Sequence, residues 1–172
     1  AHQPDGRVGG GLAQAGALLG LCRKHRVPLV INDHLDLALD VDADGLHLGA
    51  EDGSLAAARA RLGPGRILGA SCYDRLELAL EAERLGVDYV AFGSFFPSNV
   101  KPGAVRAPLA LLRNAKRRLS IPVVAIGGIT IANAPELIAA GADGVAVISA
   151  LFDADDVGLA ARRFSALFAV RE

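Results

Sequence analysis

The sequence contains no methionine and no tryptophan, has only two cysteines, and carries almost no net charge: 18 Lys and Arg against 19 Asp and Glu leave −1 at pH 7. A balance this close to zero gives no general attraction to nucleic acid or an anionic membrane, so any phosphate binding has to be local. Cys22 and Cys72 fit neither a disulfide framework nor a metal-ligand spacing. There is no signal peptide and no apolar run of about 18 residues. These absences exclude nucleic-acid and membrane partners as expectations and make the cytoplasm the expected location. The chain opens on a polar, Gly-rich stretch, Ala-His-Gln-Pro-Asp-Gly and on to Gly11, that reads as a loop entered midway.

What is present is a rhythm. The chain is 172 residues long and 52% hydrophobic, ample for one buried core, and is read as a single domain over 1–172. From Gly11 onward, segments of helical period alternate with short runs of Val, Ile and Leu, the signature of repeated βα units around a parallel sheet. Six strands are expected, near Leu29–Asn32, Gly45–Leu48, Ile67–Ser71, Tyr89–Phe92, Val123–Ile126 and Val145–Ser149. Helices are expected near 12–25, 35–41, 55–62, 75–85, 108–118, 132–140 and 156–168. A faint repeat marks the starts of three strands: Asp44-Gly45-Leu46, Asp88-Tyr89-Val90 and Asp143-Gly144-Val145, the last two after the helix-stopping Gly86 and Gly141.

In a βα barrel the N-terminal ends of the strands carry stability and the C-terminal ends carry chemistry. Asp44, Asp88 and Asp143 are structural by that rule. Asp33 and Asp52, each at the end of an apolar run, are candidates for chemistry. Neighbouring parallel strands lie about 4.8 Å apart, so both carboxylates would stand at one end of the sheet, where a single Mg²⁺ could bridge them. The structural alternative is that Asp33 caps the helix near Leu35 and Asp52 the helix near Leu55.

Two segments resemble phosphate sites. In Val123-Val-Ala-Ile-Gly-Gly-Ile-Thr130 paired glycines let backbone N–H groups approach an anion, and Val145-Ala-Val-Ile-Ser-Ala150 ends the last strand on a small hydroxyl residue. The longest connection, Gly93 to Arg106, holds Lys101 at its centre, placed to neutralise charge on a departing phosphate or else simply solvated. Ser71 could donate to a phosphate oxygen or cap a helix. Cys72 reads as a buried thiol, Cys22 as a core residue on a helical stripe, and His34 and His47 as packed or supporting groups.

Taken in order, Val30-Ile-Asn-Asp33, Gly45-Leu-His-Leu-Gly-Ala-Glu-Asp52, the Phe-Pro-Ser-Asn-Val-Lys loop at 96–101, Ala125-Ile-Gly-Gly-Ile-Thr130 and Val147-Ile-Ser149 resemble the thiamine-phosphate synthase family over nearly the whole chain. The resemblance implies a (β/α)₈ TIM-type barrel with its first strands upstream of this sequence, about one and a half βα units. It implies a transferase of thiamine biosynthesis that joins a pyrimidine diphosphate to a thiazole phosphate and releases pyrophosphate with Mg²⁺. Carried over residue by residue, Asp33 and Asp52 would bind the metal, and Asn32, Ser71 and Lys101 the pyrimidine diphosphate, with Lys101 and Ser71 in the catalytic roles. Ser98, Asn99, Val100, Gly128, Ile148 and Ser149 would hold the thiazole phosphate. Homo-oligomerisation is left open.

The departures are specific. The family's Gln-Leu-Arg-x-Lys segment is not in the sequence; its Thr-x-Thr-Lys loop reads Ser98-Asn99-Val100-Lys101, losing a hydroxyl; Gly-Gln-Glu-Asp reads Gly49-Ala-Glu-Asp52; and Ser-Thr-His reads Ser71-Cys72-Tyr73. Two other functions are weighed against synthesis. One is a related isomerase that tautomerises the thiazole phosphate with a histidine near the Tyr73 position and lacks the metal carboxylates. The other is a non-catalytic barrel that binds a phosphorylated ligand.

Overall fold

The computed structural model describes residues 6–97 and 105–169, the side chains from Gly11 onward. The architecture is α/β, with helices α1 Gly6–Lys24, α2 Leu35–Asp40, α3 Leu55–Leu62, α4 Leu76–Arg84, α5 Leu109–Arg118, α6 Ala134–Ala139, α7 Ser149–Phe152 and α8 Val157–Ala166. The strands are β1 Val30–Asn32, β2 Gly45–Leu48, β3 Ile67–Tyr73, β4 Tyr89–Phe92, β5 Val123–Ile126 and β6 Gly144–Ala146. They are parallel and follow one another in the sheet in chain order.

All six expected strands and all seven expected helices are found, with three changes. The stretch up to Gly11, read as a loop, is helical from Gly6. The last strand ends at Ala146, so Ser149 opens the short helix α7 and does not finish a strand. Cys22, expected in the core, is half-buried, because the face of α1 around it stays open: Leu18 and Leu21 are 46% and 55% exposed.

The chain resolves into two compact units, one of residues up to Ala70 with Leu85–Asp88, the other of Ser71–Arg84 with Tyr89 onward. In the first, β1, β2 and the front of β3 pair in the registers Asn32↔His47 and Leu48↔Ala70. Gly45 permits this pairing, since a Cβ there would meet the Ile67 carbonyl oxygen at 2.5 Å. Leu46, Leu48 and Leu68 form its core. In the second, β4, β5 and β6 pair through Phe92↔Ala125 and Ile126↔Ala146. Val90, Phe92 and Val123 are buried there with Leu111, Leu112 and Ala115, the apolar face of α5, whose last turn carries Lys116, Arg117 and Arg118 where cations complement the helix dipole.

The repeated aspartates share one function. Asp44 accepts a hydrogen bond from the Leu29 N–H (2.8 Å), Asp88 from Leu68 (2.7 Å) and Asp143 from Val123 (2.9 Å). Each carboxylate at the start of one strand thus holds a backbone donor at the start of the strand before it. Cations complete two of them: Arg59 bonds Asp88 at 2.5 Å and Lys116 bonds Asp143 at 2.6 Å. These pairs are partly exposed, so the backbone bond is the part that resists solvent screening.

Asp143→Ala strips both the Val123 bond and the Lys116 partner. It is expected to cost about 1.5–3 kcal/mol, the range for hydrogen bonds to a charged group, measured by urea denaturation. Asp143→Asn, which keeps an acceptor, should recover most of that.

Candidate active site

The exits of β1 and β2 carry the first group of expected residues. Asp33 follows β1 directly, its N–H donating to the His47 carbonyl at 2.9 Å, so the β1–β2 ladder runs one bond past the strand and fixes the residue's position. Its backbone has φ 65°, a left-handed conformation in which aspartate is tolerated at some cost. The Asn32 amide donates to Asp33 Oδ2 at 2.5 Å, orienting the half-buried carboxylate. Asp52 is exposed, and its Oδ2 accepts from the Gly49 N–H at 2.9 Å while its own N–H donates to the Gly49 carbonyl at 3.3 Å. That closed turn holds Asp52 at the exit of β2.

Neither aspartate occupies the N-cap position of a helix. The residue before α2 is His34, which makes no side-chain cap bond, and the cap of α3 is Ser54, which accepts from Ala57. For Asp52 the capping alternative therefore falls away, since Ser54 takes that role. His47 sits between them on β2; burial pushes its imidazole pKa down, partly offset by the Asp52 charge. Among the described residues no group of three or more His, Cys, Asp or Glu gathers to enclose a metal. Two carboxylates at adjacent strand exits could contribute to the oxygen shell of a Mg²⁺, an ion that takes its remaining ligands from water and phosphate.

The second unit carries the rest. β5 runs into Gly127 (φ 97°) and Gly128 (φ 62°). A Cβ on Gly127 would collide with Ser94 Oγ and one on Gly128 with the Pro97 carbonyl oxygen, so the turn can be built only from glycine. The stretch after β4 lies along it: Phe95 N–H donates to the Ile126 carbonyl at 3.2 Å and Phe96 N–H to the Gly127 carbonyl at 3.1 Å. Ser94 Oγ closes the same stretch by donating to the Phe96 carbonyl at 2.7 Å. Ile148 and Ser149 are exposed at the end of β6, with the Ile148 side chain 55% accessible.

Ser71 lies inside β3, which continues to Tyr73, and is half-buried; α4 starts only at Leu76, so Ser71 does not cap it. Cys72 is buried and its thiol pKa is pushed up to about 12 by desolvation, which makes it a poor nucleophile and bears out its reading as a packed thiol. Tyr73, 43% exposed with φ 53°, ends the strand. Ser98, Asn99, Val100 and Lys101 lie outside the described residues.

The model of the thiamine monophosphate synthase family matches residues 11–151. The chain belongs to the thiamine monophosphate synthase family. It is 59% identical over 155 residues to a thiamine-phosphate synthase of Methylobacillus flagellatus, covering 90% of this chain and 74% of the relative. A thiamine-phosphate synthase of Thiobacillus denitrificans is 58% identical over 157 residues, 91% of this chain and 74% of that one. A solved thiamine phosphate pyrophosphorylase of Pyrococcus furiosus superposes with a TM-score of 0.85 at 39% identity, over 98% of this chain and 80% of its own.

One functional feature was not expected from the sequence. Asn133, read only as part of a helix near 132–140, precedes α6 and folds its side chain back onto the glycine turn. The pattern Gly-Gly-Ile-Thr-x-x-Asn carried a signal, since Thr and Asn three apart are the residues that close such turns.

Gly128→Ala combines a left-handed backbone with a collision against neighbouring main chain and is expected to abolish thiamine phosphate formation. Gly63→Ala, at φ 76° with open space around it, carries only the backbone cost of about 1–3 kcal/mol and should leave turnover intact. Steady-state assays with thermal melts on both variants separate the two effects.

Proposed function

We propose that this chain joins a pyrimidine diphosphate to a thiazole phosphate, making thiamine monophosphate and releasing pyrophosphate. The observation that carries the proposal is the 59% identity to a thiamine-phosphate synthase across 90% of the chain. It is a transferase, and its six strands are six of the eight of a (β/α)₈ barrel.

The first step needed is departure of pyrophosphate from the pyrimidine methylene. The amino group of the pyrimidine donates its lone pair into the ring, so the carbon that loses the leaving group tolerates developing positive charge. What the protein must supply is compensation for negative charge on the leaving group and exclusion of water from the cation. Lys101 neutralises the departing diphosphate, and Ser71 and Asn32 donate hydrogen bonds to it. The strand-exit carboxylates Asp33 and Asp52 hold Mg²⁺, which when bound supplies Lewis-acid stabilisation to the diphosphate oxygens. The hard oxygen donors and the closed Gly49–Asp52 turn fit that ion.

The second step is attack by the thiazole nitrogen, which carries a lone pair and needs no general base. Its phosphate is held by Ser98, Asn99, the Gly128 turn, Ile148 and Ser149, with no hydroxyl from Val100. The exposed Ile148 gives the thiazole ring an apolar surface. No helix among the described residues is long and apolar enough to cross a membrane, and two free cysteines suit the reducing cytoplasm.

Asp52→Asn retains an acceptor for the Gly49 N–H, so stability should change by no more than about 0.5 kcal/mol, while Mg²⁺-dependent pyrophosphate release is lost. Full activity at saturating Mg²⁺ would remove Asp52 from the metal site. Lys101→Ala should lower kcat by about 10² with little change in KM for the thiazole phosphate; a raised KM alone would move Lys101 to the other substrate.

A further inference from the structure

The glycine turn is short, doubly left-handed and only half-buried, a combination that does not hold its shape unaided. Its two carbonyls are both engaged. The Gly127 carbonyl accepts from Phe96 N–H at 3.1 Å, and the Gly128 carbonyl accepts from Asn133 Nδ2 at 3.1 Å. Asn133 Oδ1 accepts from Thr130 N–H at 2.7 Å, and Thr130 Oγ1 accepts from Asn133 N–H at 3.3 Å. Three bonds thus link Asn133 to Gly128 and Thr130. Among the described residues no protein acceptor faces the Gly128 N–H.

The chemistry of this arrangement is directional. Tying a peptide carbonyl to a donor on one side of a turn fixes the plane of that peptide, and with it the next N–H: Phe96 sets the Gly128 N–H through the Gly127 carbonyl, and Asn133 sets the Ile129 N–H through the Gly128 carbonyl. An anion needs N–H groups aimed at it and carbonyls kept away, because a carbonyl dipole turned inward repels it. Asn133 is half-buried, and its amide is the one side chain among the described residues that supplies a donor and an acceptor to this turn at once. Aspartate could accept from Thr130 but could not donate to Gly128. Alanine could do neither.

We propose that Asn133, with Thr130, is a positioning residue that presets the Gly127–Gly128 turn for the phosphate of the thiazole substrate. It sets the enzyme's preference for the phosphorylated over the unphosphorylated thiazole without touching the reacting atoms. The proposal rests on the reading of this turn as the thiazole phosphate site.

The test compares wild type, Asn133→Ala, Thr130→Val and Thr130→Ser in thiamine phosphate formation, varying each substrate in turn. The thiazole phosphate and its dephosphorylated alcohol serve as alternative acceptors. Asn133→Ala should raise KM for the thiazole phosphate by about tenfold, the loss of two neutral hydrogen bonds, and shrink the preference for the phosphorylated acceptor by a similar factor. KM for the pyrimidine diphosphate and kcat at saturation should stay within about threefold. Thr130→Val, a milder change at an exposed position, should move the same two quantities in the same direction by about threefold, and Thr130→Ser should restore them. Equal losses with both acceptors, or a fall in kcat with KM unchanged, would overturn the positioning role and leave Asn133 a packing residue. Failure of the wild-type chain to form thiamine phosphate would count against the synthase reading itself.

Discussion

Everything at the strand exits depends on strand register, and register here is held by a carboxylate-to-backbone hydrogen bond repeated along the chain. Asp44, Asp88 and Asp143 each take the N–H at the start of the preceding strand, at 2.7–2.9 Å. A slip of one residue in a parallel pair would turn every side chain to the opposite face. It would also lift Asp33 away from the His47 carbonyl that holds it. The anchor is placed at the starts of the strands, the end of a βα sheet that carries stability.

Positive φ stands at several strand exits, and also at Arg26 and Asp42 ahead of β1 and β2. Asp33 and Tyr73 hold positive φ at the ends of β1 and β3, and Gly127 and Gly128 hold it at the end of β5. Left-handed turns end each of these strands abruptly and direct the next peptide out of the sheet. For Asp33 the result is a half-buried carboxylate steadied by Asn32; for the glycines it is a turn whose carbonyls are bonded to Phe96 and Asn133.

The two departures from the family pattern that fall on described residues are accommodated locally. Ala50 replaces a glutamine inside the turn that Asp52 closes through Gly49, a main-chain contact indifferent to the side chain at that position. Tyr73 stands where the family has histidine, at the exposed end of β3, and Ser71 two residues earlier keeps its place inside the strand. The relatives that match at 54–59% identity do so over about nine tenths of the chain, so these changes sit within a shared framework.

Strand and helix positions were legible in the residues because apolar period and glycine stops are local signals. The six buried runs, the helix-ending Gly86 and Gly141 and the aspartates at strand starts all lie within a few residues of the structure they dictate. Asp33 and Asp52 were visible as candidates for the same reason: each follows a strand that can be read. Tertiary structure alone decided what those residues do not do and what others must do. Whether an aspartate caps a helix depends on which residue reaches the first free N–H, and Ser54 does so where Asp52 does not. The exposure of Cys22 depends on what covers α1. The role of Asn133 depends on a side chain folding back five residues to the Gly128 carbonyl, a contact that exists only once two left-handed glycines have turned the chain toward it.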